Sequence, residues 1–230
     1  MEYIDHPLSE SAYYQQPHPK DSIFLRDSSG HYRPDWLIEY RGRDRKNSTN
    51  KIRSSSAFVI GGISPDGKDK KYDGVVYRAF DESMWSHHLF IKAKNNTFLN
   101  QKSIGIDICN YGPLIKTEDG DFYTSSHVKI SKNQVTELES PFRGSKYFHS
   151  YSKAQIESLK GLLKYLSEKY EIDLKRGLQK EILKFGDFGG FELSENALLG
   201  GQGLWSHSNV RIDRLSCPPH PALLETIQSL

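Results

Sequence analysis

The sequence predicts an α/β domain in which a central mixed β-sheet is flanked by helices. Three observations favour this class. Strand-like apolar segments come first along the chain, and the clearest helical periodicity lies in its second half. The strongest strand segment, residues 103–109, is continuous and apolar around Gly105, as expected of a central strand covered on both faces. One mixed sheet with helices packed on it is the arrangement that buries both kinds of element.

The other strand segments are short and are bounded by turn residues. Residues 22–25 are β-prone and run into the turn-like stretch 27–30. Residues 57–60 are predicted to form a second buried strand. Residues 75–80 are predicted to form the returning strand of a hairpin, after a charged connection that contains Pro and Gly. These segments supply the predicted sheet.

The helices are indicated by spacing of about 3.6 residues between apolar positions. Residues 153–170 carry one apolar stripe: Ile156, Leu159, Leu162, Leu163 and Leu166. A helix start is predicted at Arg33-Pro34-Asp35-Trp36, where Pro stands in the first turn. Further helices are predicted at 178–185 and 222–227, and the Gly-rich stretch 186–203 is predicted to be a loop with at most a short helix.

The composition excludes several classes of protein but does not identify one. A formal net charge of +2 gives no case for a nucleic-acid or membrane binder. No apolar run approaches the roughly 20 residues that a membrane span needs. Two cysteines are too few for a disulfide framework, so we interpret them as reduced thiols or a metal ligand. The acidic start lacks a secretory core, so we expect synthesis and residence in the cytoplasm, with any release to a cell wall through a separate pore.

The chain divides into a short arm and one domain. Residues 1–19 lack sustained periodicity and should pack as an N-terminal arm, with Tyr13 and Tyr14 as anchors. Residues 20–230 should form the folded domain. A basic stretch is interpreted as a solvated loop: Arg41, Arg43, Arg45, Lys46, Lys51 and Arg53.

Three segments, in this order, resemble a known family. They are residues 56–60 with 73–77; Trp85-Ser86-His87-His88-Leu89 with 103–108; and residues 203–211 followed by Cys217-Pro218. Together they resemble the zinc-dependent N-acetylmuramoyl-L-alanine amidases, whose fold is shared by peptidoglycan recognition proteins and amidase-type phage lysozymes. The resemblance covers roughly residues 20–225 and implies the same α/β fold.

The resemblance implies a zinc site and names its ligands. In this family two histidines and an Asp or Cys hold Zn²⁺, and a water fills the fourth position. His207 and Cys217 match the second and third ligands. The first ligand falls on Arg26, whose guanidinium stays protonated and has no lone pair for a metal. The zinc site is therefore expected to be incomplete, with zinc bound weakly or not at all.

Other positions of the site also depart from the family pattern. Asp107 stands in the central strand where many members have Glu, which makes it a weak candidate for the catalytic base. Leu215 stands where a Lys often supports the oxyanion. Trp85, His88 and Asn110 are candidates for contact with a ligand, and His88 is the residue that could replace the missing zinc ligand.

Three functions are compatible with this pattern. The first is an amidase-like protein of impaired activity that binds a peptidoglycan fragment, with Arg26 offering a fixed cation to an anionic group. The second is an active zinc amidase with a reorganised site. The third is a repurposed pocket or scaffold for another anionic small ligand or a protein partner. The oligomeric state is not indicated by the sequence.

Overall fold

The computed structural model describes residues 1–28, 30–43, 53–92 and 94–230. Its strands are β1 (Ile4–Asp5), β2 (Ser22–Asp27), β3 (Phe58–Ile60), β4 (Val76–Arg78), β5 (Ser103–Ile108), β6 (Pro113–Lys116), β7 (Phe122–Tyr123), β8 (Lys129–Ile130), β9 (Val135–Phe142), β10 (Ser145–His149) and β11 (Gly203–Ser206). Its α-helices are α1 (Pro34–Arg43), α2 (Asn96–Lys102), α3 (Lys153–Tyr170), α4 (Leu178–Gly189), α5 (Glu195–Leu198) and α6 (Pro221–Gln228).

Six strands form the central sheet, in the order β1-β4-β3-β5-β2-β11. β5 pairs in parallel with both β2 and β3, and β11 extends the sheet in parallel beyond β2. β4 runs antiparallel to β3, so the sheet is mixed. The predicted α/β class with a central mixed sheet and flanking helices is confirmed.

The two faces of β2 contact different parts of the core. Side chains alternate between the faces of a strand. Ile23 and Leu25 belong to the larger buried cluster, which also holds the leucines of α3. Phe24 belongs to a second cluster, with Trp205 and Leu89. The central sheet is therefore covered on both sides, as the apolar character of β5 predicts.

Helix α3 has the bounds that its apolar stripe predicts. Leu159 and Leu163 are fully buried. The helix starts with a capping box, in which the Ser152 side chain accepts from the backbone N–H of Gln155 and the Gln155 side chain accepts from the N–H of Ser152. It ends at Glu171 in the left-handed conformation, with φ 55°.

A second sheet, between residues 113 and 149, was not predicted. It is antiparallel, with the order β8-β7-β6-β10-β9, and β6 begins soon after the carboxyl end of β5. Two of its strands are only two residues long, too short to show an alternating pattern.

The N-terminal segment contacts the edge of the central sheet. β1 pairs with β4, and Leu8 and Ala12 are buried. The Tyr13 ring stacks on Phe80 with centroids 4.9 Å apart, and the Tyr14 ring stacks on Trp85 with centroids 3.9 Å apart. Both tyrosines make the kind of contact expected of anchors, while the division into an arm (1–19) and a domain (20–230) stays a prediction.

Two residues of the basic stretch expected to be a solvated loop make defined contacts with the rest of the protein. Arg41 lies in α1 with its side chain only 13% exposed, which corrects that interpretation for this residue. The Arg53 Nη1 atom donates to the backbone oxygen of Tyr13 over 2.8 Å. Arg45, Lys46 and Lys51 lie outside the described residues. Within the described ranges, none of the helices has the length and apolar character that a membrane crossing requires.

Candidate functional site

The carboxyl ends of β2 and β5 bring Arg26 and Asp107 together. The two residues are direct partners in the parallel register of these strands. Arg26 Nε lies 3.5 Å from Asp107 Oδ1, and the Asp107 side chain is fully buried while that of Arg26 is 11% exposed. This contact is an ion pair without hydrogen-bond geometry, because both atoms are buried and lack a hydrogen-bond partner.

Arg41 is the stronger partner of Asp107. Its Nη1 atom donates to Asp107 Oδ2 in a buried, charge-assisted contact. Burial raises the pKa of Asp107, but the charges of Arg41 and Arg26 outweigh it and hold that pKa below its usual value. Asp107 is therefore a carboxylate held between two guanidinium groups, which makes it a weak base.

Arg41 was not predicted to be a residue of the site, although one feature of the sequence indicates that it faces the core. Arg41 follows Leu37 by four residues in α1, and residues four apart share a helix face. Leu37 is buried, at 6% exposure. The helix predicted at Pro34 would have placed Arg41 toward the core if it had been extended through this position.

The Arg26 guanidinium is the least satisfied group of the site. Its Nε and Nη1 atoms are buried without a hydrogen-bond partner among the described residues. Burial lowers the pKa of Arg26 to about 10, while the charge of Asp107 opposes this shift, so the group remains protonated at neutral pH. Buried donors are paired in nearly all native structures. A charged fork of donors whose hydrogen bonds are not made is suited to a bidentate acceptor such as a carboxylate.

His207 lies near Arg26, in the 3-10 turn that follows β11. Its Nε2 atom donates to the backbone oxygen of Leu89 over 2.8 Å. Burial, and then the charge of Arg26, lower the pKa of His207 to about 3, so the ring is neutral at physiological pH. With the proton on Nε2, the Nδ1 atom keeps its lone pair and can accept a hydrogen bond or bind a metal.

Cys217 is engaged by a different group, Asp27. The Cys217 thiol donates to Asp27 Oδ1 over 3.3 Å and its backbone N–H donates to Oδ2 over 2.9 Å. The Tyr151 hydroxyl also donates to Asp27 Oδ1, over 2.6 Å. Burial, and then the charge of Asp27, raise the pKa of Cys217 well above its usual value, so the sulfur is a thiol. Since residues alternate along β2, Asp27 belongs to the face opposite Arg26.

The donors present do not fit a zinc ion. Zinc needs three protein ligands at about 2.0–2.3 Å in a catalytic site. His207 offers one lone pair, the Cys217 thiol is bonded to Asp27, and Arg26 brings a positive charge where the resemblance places the first ligand. Across the described ranges, no group of three or more His, Cys, Asp or Glu side chains is arranged to hold a metal ion.

The three remaining candidates for ligand contact are buried, and the side chains of His88 and Asn110 are hydrogen-bonded within the protein. His88 is 2% exposed, with Nδ1 bonded to the backbone oxygen of Ser86 and Nε2 2.9 Å from Ser103 Oγ. The Asn110 side chain bonds the backbone of residues 112, 149 and 150. Trp85 is 5% exposed beneath Tyr14. Their proposed contact with a ligand stays a prediction, and it would require a rearrangement of these groups.

Comparison with known proteins gives the family. A family described as N-acetylmuramoyl-L-alanine amidase matches residues 33–220, which is most of the chain. Among curated proteins, none matches.

Several solved amidases and endolysins have similar structures. The structure of PlyL has a TM-score of 0.51 at 11% identity, covering 100% of this chain and 96% of that one. The amidase LysC from Clostridium intestinale has a TM-score of 0.49 at 14% identity, covering 100% and 96%. The E. coli amidase AmiD, solved with a muropeptide substrate, has a TM-score of 0.39 at 18% identity, covering 70% and 48%. At these identities the PlyL likeness shows a shared fold. The chain belongs to the N-acetylmuramoyl-L-alanine amidase family.

Proposed function

We propose that this amidase-like protein binds a peptidoglycan fragment at Arg26 and hydrolyses the muramoyl–alanine amide poorly or not at all. The observation that carries the proposal is the Arg26 guanidinium, which is buried, protonated and without a hydrogen-bonded acceptor among the described residues. Stem peptides and the lactyl amide offer carboxylate and carbonyl oxygens, which are the acceptors that such a donor set prefers.

Two features support weak hydrolysis. A zinc amidase needs a Lewis acid that polarises the carbonyl and activates water, and Arg26 cannot take the place of a metal ligand. Asp107 is also a poor base, because Arg41 and Arg26 stabilise its charged form. The His207 Nδ1 atom remains as an acceptor for an amide N–H of the ligand. These residues can therefore hold the amide without cleaving it.

Binding is tested by calorimetry with N-acetylmuramoyl-L-alanyl-γ-D-glutamate. We expect Arg26→Gln to weaken binding about 10- to 100-fold, since a charge-assisted hydrogen bond contributes roughly 1.5–3 kcal/mol. Arg176→Gln is the matched control, because Arg176 is 53% exposed and contacts Asp173 and Gln202 instead. Equal affinity of the Arg26→Gln variant and the unaltered chain would contradict the proposal.

Hydrolysis is tested by measuring zinc content and lysis of purified cell walls side by side. We expect the unaltered chain to hold substoichiometric zinc and to lyse walls poorly. Arg26→His should raise zinc content first, because it replaces the guanidinium with an imidazole beside His207; the Cys217 thiol would have to leave Asp27 to complete a three-ligand set. Activity should lag, since Leu215 stands where an oxyanion donor is expected and one such donor contributes about 10²- to 10³-fold in rate. Stoichiometric zinc with normal lysis by the unaltered chain would show an active amidase instead.

A further inference from the structure

The second sheet carries a groove that the site at Arg26 does not use. Its cavity measures about 390 Å³ and lies at the turns that join β6, β7 and β8. The lining residues are Ile115, Thr117, Asp119, Asp121, Tyr123, Thr124 and His127. The groove thus combines an apolar surface with hydroxyl, carboxylate and imidazole groups.

The apolar surface is formed by two neighbouring strands. Ile115 and Tyr123 are direct partners in the antiparallel register of β6 and β7, so they share one face of the sheet. Ile115 is 59% exposed, which is unusual for a large aliphatic side chain in a strand. An aliphatic and an aromatic side chain side by side offer a flat apolar platform to a ligand.

The polar groups of the groove differ in how far the protein already uses them. Thr117 and Thr124 hydroxyls accept from the backbone N–H groups of Asp121 and Val128, so they maintain the turns. Asp121 is paired with Lys129, and its other oxygen lies 3.5 Å from Lys132 Nζ. Asp119 makes no hydrogen bond or ion pair with a residue that the structure describes. Its carboxylate is an acceptor only, so it suits a ligand with hydroxyl or N–H donors.

The charge of the groove separates it from the site at Arg26. The Asp119 carboxylate offers an acceptor to hydroxyl and N–H donors, whereas the Arg26 guanidinium offers donors that lack a hydrogen-bonded acceptor among the described residues. Lys129 and Lys132 are both engaged by Asp121, so among the described residues the groove has no uncommitted cation for the carboxylates of a stem peptide. A neutral sugar offers an apolar C–H face to the platform and hydroxyl and amide donors to Asp119.

We propose that this groove binds a neutral N-acetylhexosamine unit of the glycan strand. The inference rests on the proposed function, because it assigns the glycan and the peptide of one polymer to two different sites. Ile115 follows Asp107 by eight residues, so the two sites lie at most about 28 Å apart along an extended chain. This bound limits the distance that a fragment would have to bridge between a glycan unit near Ile115 and a peptide near Asp107.

The test uses a β-1,4-linked N-acetylglucosamine tetrasaccharide, which contains the glycan chemistry and no peptide. Titration is followed by calorimetry and by chemical shifts of the backbone amides of residues 115–128. We expect Tyr123→Ala to weaken binding at least tenfold, by removing the platform. Asp119→Asn should weaken it about threefold to tenfold, because Asn keeps an acceptor oxygen and loses only the charge that strengthens the hydrogen bond.

The controls make each outcome decisive. Glu118→Gln removes the adjacent charge, which does not line the groove, and should leave affinity unchanged; thermal melting verifies that each variant is folded. If Tyr123→Ala fails to fold, the comparison of Asp119→Asn with Glu118→Gln still decides. No binding of the tetrasaccharide by the unaltered chain, or equal effects of these two substitutions, would overturn the inference.

Two probes separate this inference from the proposed function. Arg26→Gln should leave tetrasaccharide binding unchanged while it weakens the muropeptide. If the muropeptide binds through Arg26 and the tetrasaccharide does not bind, the groove assignment alone fails. If the tetrasaccharide binds through Tyr123 and the muropeptide does not bind, the function proposed for Arg26 fails and the groove assignment stands.

Discussion

Asp107 is a buried carboxylate that both Arg26 and Arg41 contact. Its side chain is fully buried, and those of the two arginines are 11% and 13% exposed. A buried carboxylate between two cations is stabilised by both, and each cation in turn depends on it. Arg26 contacts Asp107 as an ion pair without a hydrogen bond, whereas Arg41 is hydrogen-bonded to it and positions the carboxylate.

We expect Asp107→Asn to destabilise the fold by about 3–5 kcal/mol, because removing the carboxylate leaves two buried cations unpaired. The measurement is urea unfolding followed by circular dichroism. Glu139→Gln is the control: it neutralises an exposed carboxylate of β9 and should change stability by no more than about 0.5 kcal/mol. A stability of the Asp107→Asn variant equal to that of the control would show that Asp107 does not balance the two arginines.

Helix α3 contributes to stability through one face only. Leu163 is fully buried against the sheet, whereas the neighbouring Lys164 side chain is 79% exposed. We expect Leu163→Ala to lower the free energy of unfolding by about 2–5 kcal/mol, through lost burial and the cavity that remains. Lys164→Ala should change it by less than about 0.5 kcal/mol. Similar losses for the two variants, measured by urea unfolding, would contradict this packing.

Acid stability is a property of the whole molecule, because it sums over distant groups. Burial lowers the pKa of His207 to about 3 and those of His149 and His220 to about 4, against 6.5 in an unfolded chain. The unfolded chain therefore binds more protons below pH 6.5, and stability falls as the pH drops toward 4. Asp27 opposes this, because burial raises its pKa to about 6. The histidines outnumber it, so we expect a net loss on the order of a few kcal/mol from pH 6.5 to 4.5.

Unfolding free energies at pH 7.5, 6.5, 5.5 and 4.5 test this expectation. His220→Gln should flatten the pH dependence, because the His220 Nδ1 atom that caps α6 could no longer be protonated. A stability that rises on acidification would show that Asp27 outweighs the histidines.

The sequence predicted those parts of the molecule whose signals are local or repeated. Helix α3 was predictable from its stripe of leucines. Strands β2 and β5 were predictable from apolar runs that are long enough to indicate a strand. The second sheet was not predictable, because β7 and β8 are two residues each and are held by pairing with distant segments.

The candidate site likewise combines features that the sequence predicts locally with contacts that it does not predict. The resemblance placed Arg26 at the end of a strand, and the register of β2 and β5 sets it beside Asp107. The contact between Arg41 and Asp107 joins residues 66 positions apart, and that between Asp27 and Cys217 joins residues 190 apart. No local pattern specifies such pairs, because they depend on how the elements pack.

The edge strands of the two sheets affect how readily the protein aggregates at high concentration. The central sheet ends in β1, which has two residues, and in β11, whose Leu204 bridges to Gly177. The second sheet ends in the longer strand β9, whose sequence VTELESPF includes two glutamates and a proline. Short, charged or proline-bearing edges resist strand addition by another molecule. We therefore expect these strand edges to disfavour edge-to-edge aggregation at the millimolar concentrations that weak sugar titrations need.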